Sequence, residues 1–305
     1  MEPNSGAIRA VDSINRGFEI IKEGYWTYVG MCLVAWIIII VIGVVFGMIN
    51  GAIGTFLSAA FGLGVGSAGG TAGMAAAIAP QVITQVIGIF FNIVVLTIVG
   101  VLGCGIYNAM ANDEQSGVAD FGLLFSGFPK VMQCLAYAVI GSLVQFIIGM
   151  VVLIIGAAVG VGAIFGGIMQ PGREPDPSAL GAIFIGIFAV LGVMMLLNII
   201  YNLLTTFVYP IIADTEVSGI EAVLLSAKGA FRNLGGLILL QILLGLMMIG
   251  GTLLCLIGLI FVVPILYAAN YAAFRSVFPS ERQLRNEMPP PPPTWNSPVS
   301  NQPGY

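Results

Sequence analysis

The chain has 305 residues, 58% of them hydrophobic and only 8% charged, with a formal net charge of −4 and no histidine. Soluble globular chains carry about 25% charged residues, so this composition excludes a soluble enzyme, a nucleic-acid binder and a disordered chain. What remains is an all-α integral membrane protein, and its mean hydropathy of +1.04 agrees.

Four stretches, 24–112, 131–172, 177–213 and 233–274, contain no Asp, Glu, Lys or Arg. A helix needs about 20 apolar residues to cross roughly 30 Å of hydrocarbon, so these stretches hold the spans. Ahead of them, the first 23 residues carry Glu2, Arg9, Asp12, Arg16, Glu19, Lys22 and Glu23. A cleavable signal peptide would place an apolar run there, so none is expected. Instead Ile8, Val11, Ile14, Phe18, Ile21 and Tyr25 recur every three or four residues, opposite the charges. That spacing predicts an amphipathic helix lying among lipid headgroups.

The first charge-free stretch predicts helices at 26–50 and 83–110, joined by a Gly/Ala-rich connector over 51–82. Such an apolar connector lies in the interface or re-enters the bilayer, where its backbone polar groups need internal partners. After it comes a linker with the acidic residues Asp113, Glu114 and Asp120. Ser116 is placed to cap a second amphipathic helix, whose apolar face is Phe121, Leu124, Phe128 and Val131. Spans at 131–161 and 181–211 follow, joined by the polar turn Gln170-Pro171-Gly172-Arg173-Glu174-Pro175-Asp176-Pro177.

The third linker carries Asp214, Glu216 and Glu221, and Ser218-Gly219-Ile220-Glu221 reads as a capping box. Ile220, Val223, Ala227, Phe231 and Leu234 form its apolar face. As one helix, 233–274 would be roughly 63 Å long, so it must fold back. Gly250-Gly251-Thr252 is the expected turn, giving spans at 234–250 and 253–275. The segment 279–305 contains the run Pro289 to Pro293 and reads as a disordered, polyproline-like tail.

Arg9, Arg16, Lys22, Lys130, Lys228, Arg232, Arg275, Arg282 and Arg285 fall on one side of the six spans, and only Arg173 falls on the other. Lys and Arg mark the cytoplasmic side, so both termini are expected there, in a cell (inner) membrane. The linkers also repeat. Ala111-Asn112-Asp113-Glu114-Gln115-Ser116-Gly117-Val118 aligns with Ala213-Asp214-Thr215-Glu216-Val217-Ser218-Gly219-Ile220, and the register continues to Gly127 on Gly229 and Lys130 on Arg232. At another offset Ala10, Arg16 and Gly17 fall on Ala222, Lys228 and Gly229. The membrane domain, 1–278, therefore reads as three units of about 7–110, 111–212 and 213–278. Each is a cytoplasmic amphipathic helix followed by a transmembrane hairpin. Mitochondrial carriers share such a plan, but their Pro-x-acidic-x-x-basic signature is missing here.

Two segments carry a resemblance: Thr206-Phe207-Val208-Tyr209-Pro210-Ile211-Ile212-Ala213-Asp214 with Ser218, Glu221, Ala222 and Ser226, and Pro264 through Ala272-Ala273-Phe274-Arg275. They resemble a set of uncharacterised bacterial multi-pass membrane proteins, loosely similar to the membrane domain of glycerophosphodiester phosphodiesterases. The resemblance covers about 200–278 and implies a fold, not that enzyme's activity, because its catalytic domain is missing.

An ionisable residue deep in a span marks an ion or proton path; the spans hold none. The polar residues there are Asn92, Gln145, Asn198 and Gln241. Tyr107-Asn108, Tyr201-Asn202 and Asn270-Tyr271 recur on the second helix of each hairpin. Together they read either as a polar vestibule open to the cytoplasm or as interhelical hydrogen bonds. Pro210 and Pro264 each remove a backbone donor and predict helix kinks. Cys32, Cys104, Cys134 and Cys255 form no C-x-x-C pair, so no metal or other cofactor is expected. The expected function is non-enzymatic: a protein that organises or senses the bilayer through membrane lipids, or a scaffold whose acidic loops or Pro-rich tail bind a cytoplasmic protein. The alternative is a transporter or flippase for an uncharged or lipid-like solute.

Overall fold

The computed structural model describes residues 3, 8–65, 71–165, 177–254 and 257–280. The expected turn around Gln170–Pro175, the residue Cys255 and the tail from 281 onward lie outside the described residues. Among those described, nine α-helices and no strands occur: α1 (Ala10–Ile21), α2 (Tyr25–Val65), α3 (Thr71–Ser116), α4 (Val131–Phe165), α5 (Pro177–Thr205), α6 (Val208–Asp214), α7 (Gly219–Arg232), α8 (Leu234–Leu253) and α9 (Ile257–Val277). Six helical segments are long and apolar enough to cross a membrane, as expected of a multi-pass membrane protein.

The expected connector over 51–82 is largely helix. Its Gly/Ala-rich ends extend α2 to Val65 and start α3 at Thr71. Helix is the form in which a backbone without water satisfies its own polar groups. The 41 residues of α2 measure about 60 Å, twice the hydrocarbon thickness. The 20 residues of α8 measure about 30 Å and match it. The expected turn at Gly250-Gly251-Thr252 is displaced: α8 continues to Leu253. Gly251 and Gly258 instead mark the close approach of α8 and α9, where a Cβ on Gly251 would stand 3.3 Å from the Gly258 backbone. The glycines thin the crossing rather than break the helix.

The kink expected at Pro210 is a full break. α5 ends at Thr205 and α6 starts at Val208, two residues before the proline. Ser226 of α7, fully buried, bridges this break. Its Oγ accepts from the Phe207 N–H at 3.1 Å and donates to the Leu204 carbonyl at 2.7 Å. A buried polar group left unpaired costs about 1–3 kcal/mol, so Ser226→Ala should lower stability by that amount. The measurement is the thermal melt of the purified chain in detergent; an unchanged midpoint would show that the break does not depend on Ser226. At Pro264, by contrast, α9 runs on unbroken. Three residues earlier the Phe261 carbonyl accepts from the Tyr25 hydroxyl at 2.7 Å, a side-chain donor beside the ladder position that proline disturbs.

The core lies at the end of the bundle that carries α1, α6 and α7. Tyr28, Met31, Ile106, Met110, Phe207, Ile211, Ile212, Tyr271, Phe274 and Phe278 are all buried there. Toward the other end the helices present Ile40, Val44, Met48, Ile147, Ile185, Phe188 and Leu246 outward. Exposed apolar stems around a span are the surface that lipid covers. Each linker rests on the second helix of another hairpin, α1 on α9, the 121–130 linker on α3, and α7 on α5 and α6, and α7 rests equally on α4.

Candidate functional site

The three linkers each have two faces. In α1, Ala10, Ser13 and Gly17 face inward while Val11 and Phe18 are exposed. The stripe expected from sequence is thus divided, with Ile8 and Ile21 in the core and Ile14 partly covered. Gly17 lies directly on α9, where a Cβ would stand 2.6 Å from the Ala268 carbonyl carbon and the Ala269 nitrogen. In α7, Gly219, Ala222, Ser226, Gly229 and Ala230 face inward. Ile220, Leu224 and Phe231 point out, the last two each 66% exposed. Leu224 was not in the expected stripe, whereas Val223 and Ala227 are partly covered. The capping box forms as read: Ser218 Oγ accepts from the Glu221 N–H, and Glu221 accepts from the Ser218 N–H at 3.0 Å.

The second linker differs in local form. It is two short 3-10 turns, Phe121–Phe125 and Phe128–Lys130, in place of one amphipathic α-helix. Ser116 ends α3 instead of capping, with its hydroxyl donating to the Asn112 carbonyl at 2.8 Å. Asp120 takes over the cap by accepting from the Gly122 N–H at 2.8 Å. Gly117, at φ 69, supplies the left-handed turn between them. Gly122, Gly127 and Pro129 are poor material for a continuous α-helix. Gly105 of α3 and Gly127 also bring the two backbones into direct contact. Phe121, Phe125 and Phe128 remain exposed, as Trp26 does at the start of α2.

Inside this ring lies a network of charges. Arg275, with a side chain only 4% exposed, grips Asp214 with both terminal nitrogens, at 2.7 and 3.0 Å. Its Nε donates to the Tyr271 hydroxyl at 2.9 Å, and that hydroxyl donates to Glu114 at 2.9 Å. Glu114 also pairs with Arg16 of α1 at 3.0 Å. The guanidinium lies near the rings of Tyr271 and Phe274, at 5.1 and 5.3 Å. Next to it the buried Tyr28 donates to Asp113 at 3.0 Å. The carboxylates of two linkers are therefore held by basic residues of α1 and α9. Lys130 likewise meets Glu216 and the Thr215 carbonyl. Chemically the network is a clasp: it joins α1, α3, α6 and α9 by paired charges.

The Tyr/Asn residues singled out in the sequence distribute over several places. Tyr107 and Tyr271 come together, stacked at 6.4 Å. Asn108 donates to Ser126 of the second linker at 2.9 Å. Tyr201 faces Tyr137 of α4, hydroxyl to hydroxyl at 3.3 Å. Asn202 donates to the Asn198 carbonyl of its own helix, and Asn270 accepts from Gln241 of α8 at 3.3 Å. The two thiols of Cys104 and Cys134, unrelated by spacing, lie 3.8 Å apart. The Asp214–Arg275 pair carried no periodic signal, although both residues stand in the segments of the family resemblance. No protein-family model, curated protein or solved structure matches this chain.

Proposed function

We propose that this is a non-enzymatic membrane protein that holds, and responds to, the headgroup layer of the bilayer through its three linkers. In this reading both termini and the clasp lie on the cytoplasmic side of a cell (inner) membrane, where nine of the ten Lys and Arg residues fall in sequence. The observation that carries it is that every linker exposes bulky apolar side chains, Phe18, then Phe121 and Phe128, then Leu224 and Phe231, with Trp26 exposed at the start of α2. Residues of this kind beside charges are what an interfacial helix offers to lipid. The linkers resting in turn on α9, α3 and α5–α6 support three repeated units closing on one another. Of the three glycines equivalent in that repeat, Gly17 and Gly127 meet the backbone of a second helix, whereas Gly229 meets the Phe278 and Val277 side chains. A cytoplasmic protein that binds the Pro-rich segment would make the same ring a scaffold.

Passage of a solute between the second helices is the less supported reading. At the charged end Tyr107, Phe207, Ile211, Tyr271 and Phe274 fill the space between them. The test is the depth of spin labels on Phe18→Cys, Phe128→Cys and Phe231→Cys in reconstituted vesicles. Collision with oxygen should exceed collision with an aqueous nickel complex at all three, and the reverse is expected at Lys228→Cys. Label depth should also change between tightly and loosely packed lipid. Labels that all report bulk water would sink the anchoring reading; depths unchanged by lipid packing would sink the sensing part.

A further inference from the structure

A separate feature lies within the spans. Between α2, α3 and α4 is a polar pocket of about 320 Å³, lined by Asn50, Thr84, Gln85, Asn92, Ser142 and Gln145 among others. Ser142 and Gln145 stand 11 and 14 residues after Val131, or about 17 and 21 Å along α4. Asn50 stands 25 residues after Tyr25, about 38 Å along α2, so the pocket runs from past the middle of the bilayer to the interface remote from the charge clasp. Part of the lining is already braced: Ser142 donates to Asn92 at 2.9 Å, and Gln145 donates to Asn198 at 3.1 Å. These bonds use one end of each amide and fix its orientation. The Oδ1 of Asn50, by contrast, is buried with no hydrogen-bond partner among the described residues. A buried acceptor without a donor costs free energy, so the pocket is incomplete as it stands.

The geometry points to a binding site for an uncharged, hydroxyl-rich group. Hydroxyls can both donate to and accept from the amides of Gln85, Asn92 and Gln145, and a turn of the Asn50 amide would bring its unpaired oxygen within their reach. No charged residue occurs in 24–112 or 131–172, so neither a phosphate nor an ammonium group would find its counter-charge at this depth. Beside the polar lining, Ile49, Val86, Phe90 and Ile147 are exposed apolar surface, which suits an acyl chain lying against the helices. The same headgroup chemistry could arrive on a lipid or as a free polyol. The site stands apart from the linker ring, so failure of either reading leaves the other intact.

The experiment uses the full chain in phosphatidylcholine nanodiscs doped with a glucosyl diacylglycerol, with lipid retained by the protein counted by native mass spectrometry. The wild type should retain the glucosyl lipid in preference to phosphatidylcholine. Asn50→Leu should reduce that retention about tenfold, equivalent to ~1.4 kcal/mol. Its melting midpoint should hold or rise, because the substitution removes an unpaired buried oxygen. Gly88→Leu keeps every amide but fills the space, and its Cβ would lie at an ordinary 3.6 Å from Asn50 Nδ2; it should also abolish selective retention. Displacement by excess methyl glucoside assigns the site to a free polyol, and resistance to it assigns the site to the lipid-borne head. Equal retention of the two lipids by the wild type, or unchanged retention in both variants, overturns the proposal.

Discussion

Arg275→Met is expected to destabilise the chain by about 3–5 kcal/mol, the usual cost of removing one partner from a buried ion pair. The guanidinium gives Asp214 two bonds, at 2.7 and 3.0 Å, and the Asp214 side chain is only 23% exposed. Without Arg275 that carboxylate has no replacement donor among its observed contacts, and the Tyr271 hydroxyl loses a charged donor as well. Arg275→Lys should fall between, since a point charge cannot reproduce the two-pronged geometry. The double variant Asp214→Leu with Arg275→Met should recover much of the loss. Replacing a whole buried pair by apolar groups is often neutral, whereas stranding half of it is not. Denaturation of the purified chain in detergent, followed by helical circular dichroism, measures all three. A single variant as stable as the wild type would show that the clasp does not hold the charged end together.

The second large effect is expected at Gly17. A side chain there meets the α9 backbone at 2.6 Å, and helix backbone cannot swing aside as a side-chain tip can. Overpacking of this kind costs about 1–3 kcal/mol and sometimes more. Gly17→Val should therefore lift α1 from α9 and break the Arg16–Glu114 pair. Trypsin should then cleave after Arg16 and Lys22 more rapidly than it cleaves the wild type. Gly43→Val is the control, since a Cβ there meets nothing within 4 Å among the described residues, and its digestion pattern should match the wild type. If Gly17→Val also matches, α1 is not held where its glycine places it.

The six spans were legible because charge is scarce in long runs, and the expected helices at 131–161 and 234–250 lie within α4 and α8. The Ser218–Glu221 cap was legible because a capping box is local chemistry over three residues. The second linker was not: the spacing of Phe121, Leu124 and Phe128 suits a helix, while Gly122, Gly127 and close contact with α3 favour two 3-10 turns. The site was less legible still. Tyr107 and Tyr271 meet across two helices, but Asn108, Tyr201, Asn202 and Asn270 face four different neighbours. Nothing in a repeated Tyr/Asn pattern reports how each helix is rotated about its axis.

By itself the sequence determined the solvent, because long uncharged runs are stable only in lipid. It also determined the number of crossings, because about 20 residues span the hydrocarbon. Tertiary structure alone decided which face of each linker is covered, which amide faces the pocket, and that Arg275 and Asp214, 61 residues apart, form a buried pair. The physical reason is that lipid and protein interior are equally apolar. Hydropathy therefore separates membrane from water but not inside from outside within the bundle. Facing is set instead by where small residues such as Gly17, Gly127 and Gly251 let backbones approach.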